Sequence, residues 1–394
     1  MEIIQWITKY VDLWVLLFYI IIGLLILVNR KKWQVESKFI LIHRTQWGIK
    51  TINKFADKNR EFVKLLGYSA IGIGFVGMLV IIGFLLKGIY ELLFVPMAPP
   101  TMSLVIPGVQ IPGSPVFVPF WYGIIALFIV IIFHEFGHGI VARAYGIPVK
   151  STGLVFFGPL PGAFVEPDEK KITKSPSPVQ VSIFASGPFF NAILAAMIAL
   201  ILFLVLNPLM TSMVNPSGVQ FTTIQEGQPA AIAGLKADTT YTYINEKEMR
   251  DSTALMETLS CSKPGDNITL RSTDSIVTVT LGNNPKGGDK GYMGVMGIKT
   301  DYQLKNNSLK IPYEGLVILT TLFEWIFLLS IGIGLANLLP LGPVDGGRML
   351  HTTLVNMKGK ENGTKLWAKI SWVTLIILVI LVFTPIIKSV FFKL

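Results

Sequence analysis

His134-Glu135-Phe136-Gly137-His138 is the stretch of this chain whose residue types and spacing most directly imply chemistry. On a helix, residues four apart share a face, with Cβ atoms about 5–6 Å apart. Two imidazoles at that spacing can reach one metal ion at Zn–N distances near 2.0–2.1 Å. Glu135 stands beside the pair and can take the proton of a water that the metal has acidified. The same five residues also suit a plain role, anchoring the mouth of a helix to water. They end an apolar run, where titratable groups are costly and by default mark function. Gly137 allows close helix packing. A single catalytic Zn2+ is the cofactor this pattern calls for. Catalytic zinc takes three protein ligands and keeps one position open, so a third ligand must come from elsewhere. The strongest candidate is Asp345, in a stretch broken by Pro340, Gly342 and Pro343, where helix cannot continue and a carboxylate can be aimed inward. Asp-Gly is also a turn signature, and a turn and a ligand are compatible. Asn337 is a candidate donor to a substrate carbonyl or its tetrahedral oxyanion, or alternatively a helix-end cap.

These groups must be held by membrane helices. Of 394 residues, 52% are hydrophobic and 15% charged, against roughly 25% charged in a soluble domain. That excludes disorder, a collagen-like fibre and a soluble nucleic-acid-binding domain. The excess of 34 Lys+Arg over 24 Asp+Glu is then a topology signal rather than a nucleic-acid signal. Apolar runs at 13–28, 65–86, 116–133, 181–206, 313–335 and 370–387 read as about six transmembrane helices. The start, Met1-Glu2-Ile3, lacks the basic residues that open a signal peptide, so the first run reads as a retained span. Loop 29–66 carries ten Lys/Arg and three acids, whereas 88–115 carries no Lys or Arg. The positive-inside bias puts the first in the cytoplasm and the second outside. Alternation then puts His134, His138 and Asp345 together near the cytoplasmic side, and 207–312 outside. Loop 29–66, with His43 among Arg44, Lys50 and Lys54, reads as a basic interfacial helix. His351 reads as a solvated residue. The single cysteine, Cys261, excludes an intrachain disulfide framework and a cysteine zinc cluster.

The composition turns polar at Asn207. Runs 267–270 and 276–280 read as strands and 252–259 as a helix. The expected organisation is thus 1–87, two N-terminal helices with the basic loop; 88–206, the first part of the catalytic membrane core; 207–312, a small soluble α+β domain; and 313–394, the second part of the core.

At these residues the chain resembles the site-2 protease family of intramembrane zinc metalloproteases. Three blocks carry the likeness: His134 to His138, then Ser186-Gly187-Pro188-Phe189-Phe190-Asn191, then Asn337 to Arg348 with Pro340 and Asp345-Gly346. The resemblance implies His134, His138 and Asp345 as zinc ligands, Glu135 as general base, and cleavage of membrane-anchored proteins within the bilayer. The 207–312 region is similar to a protease-associated PDZ domain at Gln228-Pro229-Ala230-Ala231-Ile232-Ala233-Gly234-Leu235-Lys236-Ala237-Asp238. Its usual Gly-Asp is Ala237-Asp238 here, and the turn after Ile244-Asn245 lacks its Gly. It would bind peptide by strand addition or act as a steric filter for substrate ectodomains.

A peptide cutter in lipid needs water, local unwinding of its substrate and a receiver for freed backbone groups. Residues 153–166, apolar and broken by Gly and Pro, read as a re-entrant or interfacial β-hairpin. Its edge, with Val155 and Phe157, is a candidate receiver by strand addition; a lipid-dipping connector is the alternative. Pro188 can kink the fourth span. Asn191 can bond the freed carbonyl, a neighbouring helix or substrate. Glu324, mid-span, is given no role. Expected partners are transmembrane protein substrates and the bilayer, with no nucleic acid. The competing readings are a divalent-metal transporter and an inactive scaffold that keeps the fold. A transporter would show paired broken helices or repeat halves, and an intact Glu135 argues against a scaffold.

Overall fold

A computed structural model describes residues 11–37, 40–95, 100–158, 160–284 and 287–391. The Met1-Glu2-Ile3 start and Pro159 of the expected hairpin lie outside the described residues. The chain divides into two compact units: Met1–Phe203 with Leu319–Leu394, and Leu204–Ile318.

In the first unit, helix α1 spans Val11–Val28, strands β1 and β2 span Gln34–Ser37 and Ile40–Thr45, and α2 spans Ile49–Lys58. Helices α3 (Arg60–Phe94) and α4 (Phe120–Ala144) follow. Strands β3 (Val149–Phe157) and β4 (Leu160–Pro167) form the hairpin. A short α5 (Glu169–Lys174) leads into α6 (Ser177–Ile201). The Asp168 side chain accepts from the Lys170 and Lys171 N–H groups and so caps α5. After α6 the backbone runs through a π turn, Leu202–Leu206, into α7 (Asn207–Met213).

The second unit is built on β5 (Val214–Ile224), a one-turn α8 (Pro229–Ile232), β6 (Tyr241–Ile244), β7 (Lys247–Glu248), α9 (Ser252–Cys261), β8 (Asn267–Ser272), β9 (Ile276–Thr280) and β10 (Val295–Leu304). Its antiparallel sheet has the order β10-β5-β6-β8-β9, with β7 on β6. Phe221, Tyr241, Leu255 and Leu270 are fully buried in its core. The β6–β7 turn that lacks Gly is made by Asn245 and Glu246 at φ 45° and 67°, the left-handed conformations a tight hairpin demands. The chain then continues through α10 (Lys310–Asn337), α11 (Asp345–Lys358) and α12 (Lys360–Phe391).

Among the described residues, five helices are long and apolar enough to cross a membrane: Arg60–Phe94, Phe120–Ala144, Ser177–Met213, Asn307–Asn337 and Lys360–Val390. In lipid a backbone must satisfy its own polar groups, which is why such apolar runs are helical throughout. The protein is therefore a polytopic helical membrane protein. Among the described residues, the first expected span is a shorter apolar helix, Leu13–Val28.

Loop 29–66 is only partly the interfacial helix its composition suggests. Helix α2 is amphipathic, burying Ile49, Ile52 and Ala56 at one-face spacing. The preceding residues are strands, and His43 sits on β2 rather than on a helix. Strand β2 pairs antiparallel with β3 from Ile40↔Phe157 to Thr45↔Thr152, extending the hairpin into a sheet of order β1-β2-β3-β4. One consequence corrects the expected receiver. Strand β3, with Val155 and Phe157, is paired on both sides, by β2 and by β4. Val155 is buried. Among the described residues, the unpaired edge of the hairpin belongs to β4.

Candidate metal centre

Helix α4 presents His134 and His138 on one face, their Nε2 atoms 3.2 Å apart. Asp345 opens α11, where a carboxylate is favoured by the helix dipole. Its Oδ2 lies 3.0 Å from His134 Nε2 and 3.3 Å from His138 Nε2. The three atoms thus form a near-equilateral triangle whose centre is about 1.8 Å from each, so an ion at ordinary Zn–N and Zn–O lengths fits just off its plane. Oδ2 is buried and makes no hydrogen bond despite these short distances. Lone pairs that converge on a common point, rather than donor and acceptor facing each other, account for that. Both rings and the carboxylate are largely shielded, at 7% exposure for His134 and 8% for Asp345.

The far side of each ring is held. His138 Nδ1 is 2.7 Å from the Ile183 carbonyl, so Nδ1–H donates there and Nε2 keeps its lone pair. His134 Nδ1 is 3.2 Å from the Asn191 amide, whose Oδ1 otherwise lies buried without a partner. Assigned with its carbonyl toward the ring, Asn191 accepts from Nδ1–H, and His134 has the same tautomer as His138. Asn191 is fully buried, so its contact is with the ring, in place of the substrate contact considered from sequence.

Helix α6 comes close because each of the two helices has a glycine where they meet, Gly137 on α4 and Gly187 on α6. A Cβ on Gly137 would meet the Ser186 carbonyl at 2.8 Å. A Cβ on Gly187 would lie 2.4 Å from His138 Nε2 and 2.6 Å from His134 Nε2. Gly187 therefore backs directly onto the nitrogens that face the triangle.

Glu135 lies beside the cluster, where its Oε2 accepts from the Val165 N–H on the free side of β4 at 2.9 Å. Asn337, at the end of α10, lines the same cavity of about 300 Å³ as His134, Glu135, His138 and Asp345. The residues singled out as metal-binding and catalytic are thus brought together, whereas Phe157 is exposed on the inner strand β3. Other neighbours escaped sequence reasoning. Arg348, one turn after Asp345, pairs with Glu169 at 2.7 Å and lies over the Phe184 ring at 3.9 Å. Its i+3 spacing from Asp345 was the available signal; for Val165, whose contribution is a backbone N–H, there was none. His351 bonds Thr364 at 3.1 Å and packs on Trp367, and so is not simply solvated.

What the arrangement offers is three convergent ligand atoms, a carboxylate beside them and an amide lining the same cavity, which is the equipment for metal-assisted hydrolysis. A family model described as peptidase family M50 matches residues 122–381. The chain is also similar to a protein of Methanocaldococcus jannaschii named Uncharacterized protein MJ0971, with 29% identity over 331 residues, 82% of this chain and 79% of that one.

Proposed function

The chain belongs to peptidase family M50, the site-2 protease family, and from that membership we propose that it uses one zinc ion to hydrolyse peptide bonds within or near transmembrane segments of membrane-anchored proteins. That it is a membrane metallopeptidase follows from the family and from its spanning helices. The observation that carries the finer reading is the convergence of His134, His138 and Asp345, whose ligand atoms all lie within 4.8 Å of one another. These three residues would hold the ion, which when bound supplies Lewis-acid activation of water and of the scissile carbonyl.

The remaining steps belong to the protein. Glu135 takes a proton from the attacking water and returns it to the departing amide nitrogen. Asn337 donates its side-chain N–H to the carbonyl oxygen as charge develops there. Asn191 and the Ile183 carbonyl keep both imidazoles in the ligating tautomer. An unwound substrate segment lies along the free edge of β4, taking over the Val165 N–H and releasing Glu135 to the water. Loop charge supports a site near the cytoplasmic side, with region 207–312, the body of the second unit, extracytoplasmic. That unit serves as a PDZ-like module that binds or filters substrate ectodomains.

The deciding experiment is zinc content and cleavage of a model transmembrane substrate by purified protein and by Glu135→Gln. Expected are equal zinc and a loss of about 10²–10⁴-fold in cleavage rate. Wild-type cleavage by the variant would refute the reading. A zinc-loaded wild type that moves ions but cuts nothing would favour a transporter.

A further inference from the structure

A second cavity, of about 630 Å³, lies under one face of the four-stranded sheet. That is within the size range of sites that hold a specific ligand. Strand pairing explains its lining. His43 faces Leu154 and Leu154 faces Ala163; Thr45 faces Thr152 and Thr152 faces Val165. Directly opposed residues point to the same side of a sheet, so this face of β2, β3 and β4 forms one wall. The opposite wall is α4, through Phe128, Ile132, Glu135 and Phe136.

Two facts connect this space to the metal centre. Glu135 and Val165 line both cavities, so a peptide bond poised beside Glu135 has the second cavity within one side chain's reach. The polar groups of the wall are also engaged with each other. The Thr45 hydroxyl donates to the Thr152 carbonyl at 3.3 Å, the Thr152 hydroxyl donates to the Trp47 carbonyl at 2.5 Å, and the His43 ring lies against Trp33. Apart from Glu135, Thr51 and the His43 ring, the side chains facing the space are mostly apolar, among them Ile52, Phe128, Ile132, Phe136 and Leu154.

We propose that this cavity is the specificity pocket of the enzyme, taking bulky apolar side chains of the substrate next to the bond that is cut. The proposal rests on the protease reading above. It adds a spacing rule. Substrate residues lying opposite Ala163 and Val165 along β4 project to the cavity face, while the residue between them projects to the other. Two aromatic or long aliphatic side chains, two residues apart, are therefore selected, and the intervening position is not.

The test is a set of model substrates in lipid vesicles, with Ala, Leu or Phe placed singly at each of four positions flanking the cut. For wild type, kcat/KM should rise by about tenfold or more from Ala to Leu or Phe at two alternate positions, the scale of a buried side chain's fit, and stay nearly flat between them. Ala163→Leu, which fills the cavity, should lower the Phe-to-Ala ratio by about tenfold. Leu154→Ala, which enlarges it, should raise that ratio and decides the matter if Ala163→Leu fails to fold. Size-independent cleavage by wild type overturns the proposal while leaving the protease reading intact, as does equal slowing of Phe and Ala substrates by Ala163→Leu, the outcome expected if a lipid chain fills the space. If wild type cleaves no substrate, the protease reading fails. Where cleavage occurs, photo-crosslinking from a benzophenone side chain at those substrate positions to the Glu135→Gln protein judges the pocket independently of turnover. Labelling of Phe128 or Ile132 supports it, and labelling only elsewhere overturns it.

Discussion

Replacing Gly187 by Ala should unload the metal site without unfolding the protein. The added methyl carbon would lie 2.4 Å from His138 Nε2 and 2.6 Å from His134 Nε2, where ordinary contact begins at 3.4 Å. The rings must therefore retreat by about 1 Å, several times the ±0.2 Å within which metal–ligand distances normally hold. Disturbing the groups that orient ligands costs about 10–100-fold in metal affinity. Moving the ligands themselves should cost at least about 100-fold, or about 2.7 kcal/mol. The fold has little reason to suffer. Ala is favoured over Gly within a helix by up to about 1 kcal/mol, and in the metal-free protein the imidazoles can turn aside at the cost of their Nδ1 hydrogen bonds. Chelator competition on purified protein measures zinc affinity, and circular dichroism melting of the metal-free form measures stability. A folded Gly187→Ala protein with wild-type zinc affinity would refute the claim that α6 backs onto the ligating nitrogens.

Asn191→Ala should weaken zinc binding by about 10–100-fold, because His134 loses the acceptor that fixes its tautomer; the same chelator titration reads this, and an unchanged affinity would argue for a packing role alone. Glu166 predicts an acid sensitivity of the sheet. It accepts from the Ser151 hydroxyl at 2.5 Å and from Arg44 at 3.3 Å, joining β4 to β3 and β2. The Ser151 hydrogen bond, against the opposing effect of burial and with help from Arg44, holds its carboxyl below the usual range. A depressed folded pKa means that its stabilisation is fully present above the unfolded carboxylate range and is lost as pH falls through the folded value. Protection factors of β4 amides, corrected for the intrinsic slowing of exchange in acid, should therefore fall as pH is lowered, and Glu166→Gln should flatten that dependence.

The metal centre was legible because its signals are local and strongly typed. His134 and His138 announce themselves by helical spacing, and Asp345 by standing where Pro340 and Pro343 forbid helix. The spanning helices were legible from runs of apolar residues. The sheet was not. Strand β2 finds its partner more than a hundred residues later, and the charges of loop 29–66 masked the extended run 40–45. Without that neighbour, Val155 and Phe157 read as the hairpin edge, whereas the edge lies on β4. Asn191 shows a different limit. A buried amide beside a helix-kinking proline has several partners open to it, and the choice of His134 needed the α4–α6 approach that Gly137 and Gly187 permit.

The placement of the Leu204–Ile318 unit between the two parts of the membrane core has a consequence in time. The two imidazoles leave the ribosome about two hundred residues ahead of the carboxylate, a delay of roughly 10 to 40 s at ordinary rates of synthesis. During that interval the nascent chain carries only part of its cation-holding set, and the inserted unit is translated in full before Asp345 exists. A cutting enzyme ordered in this way stays blunt while it is being made.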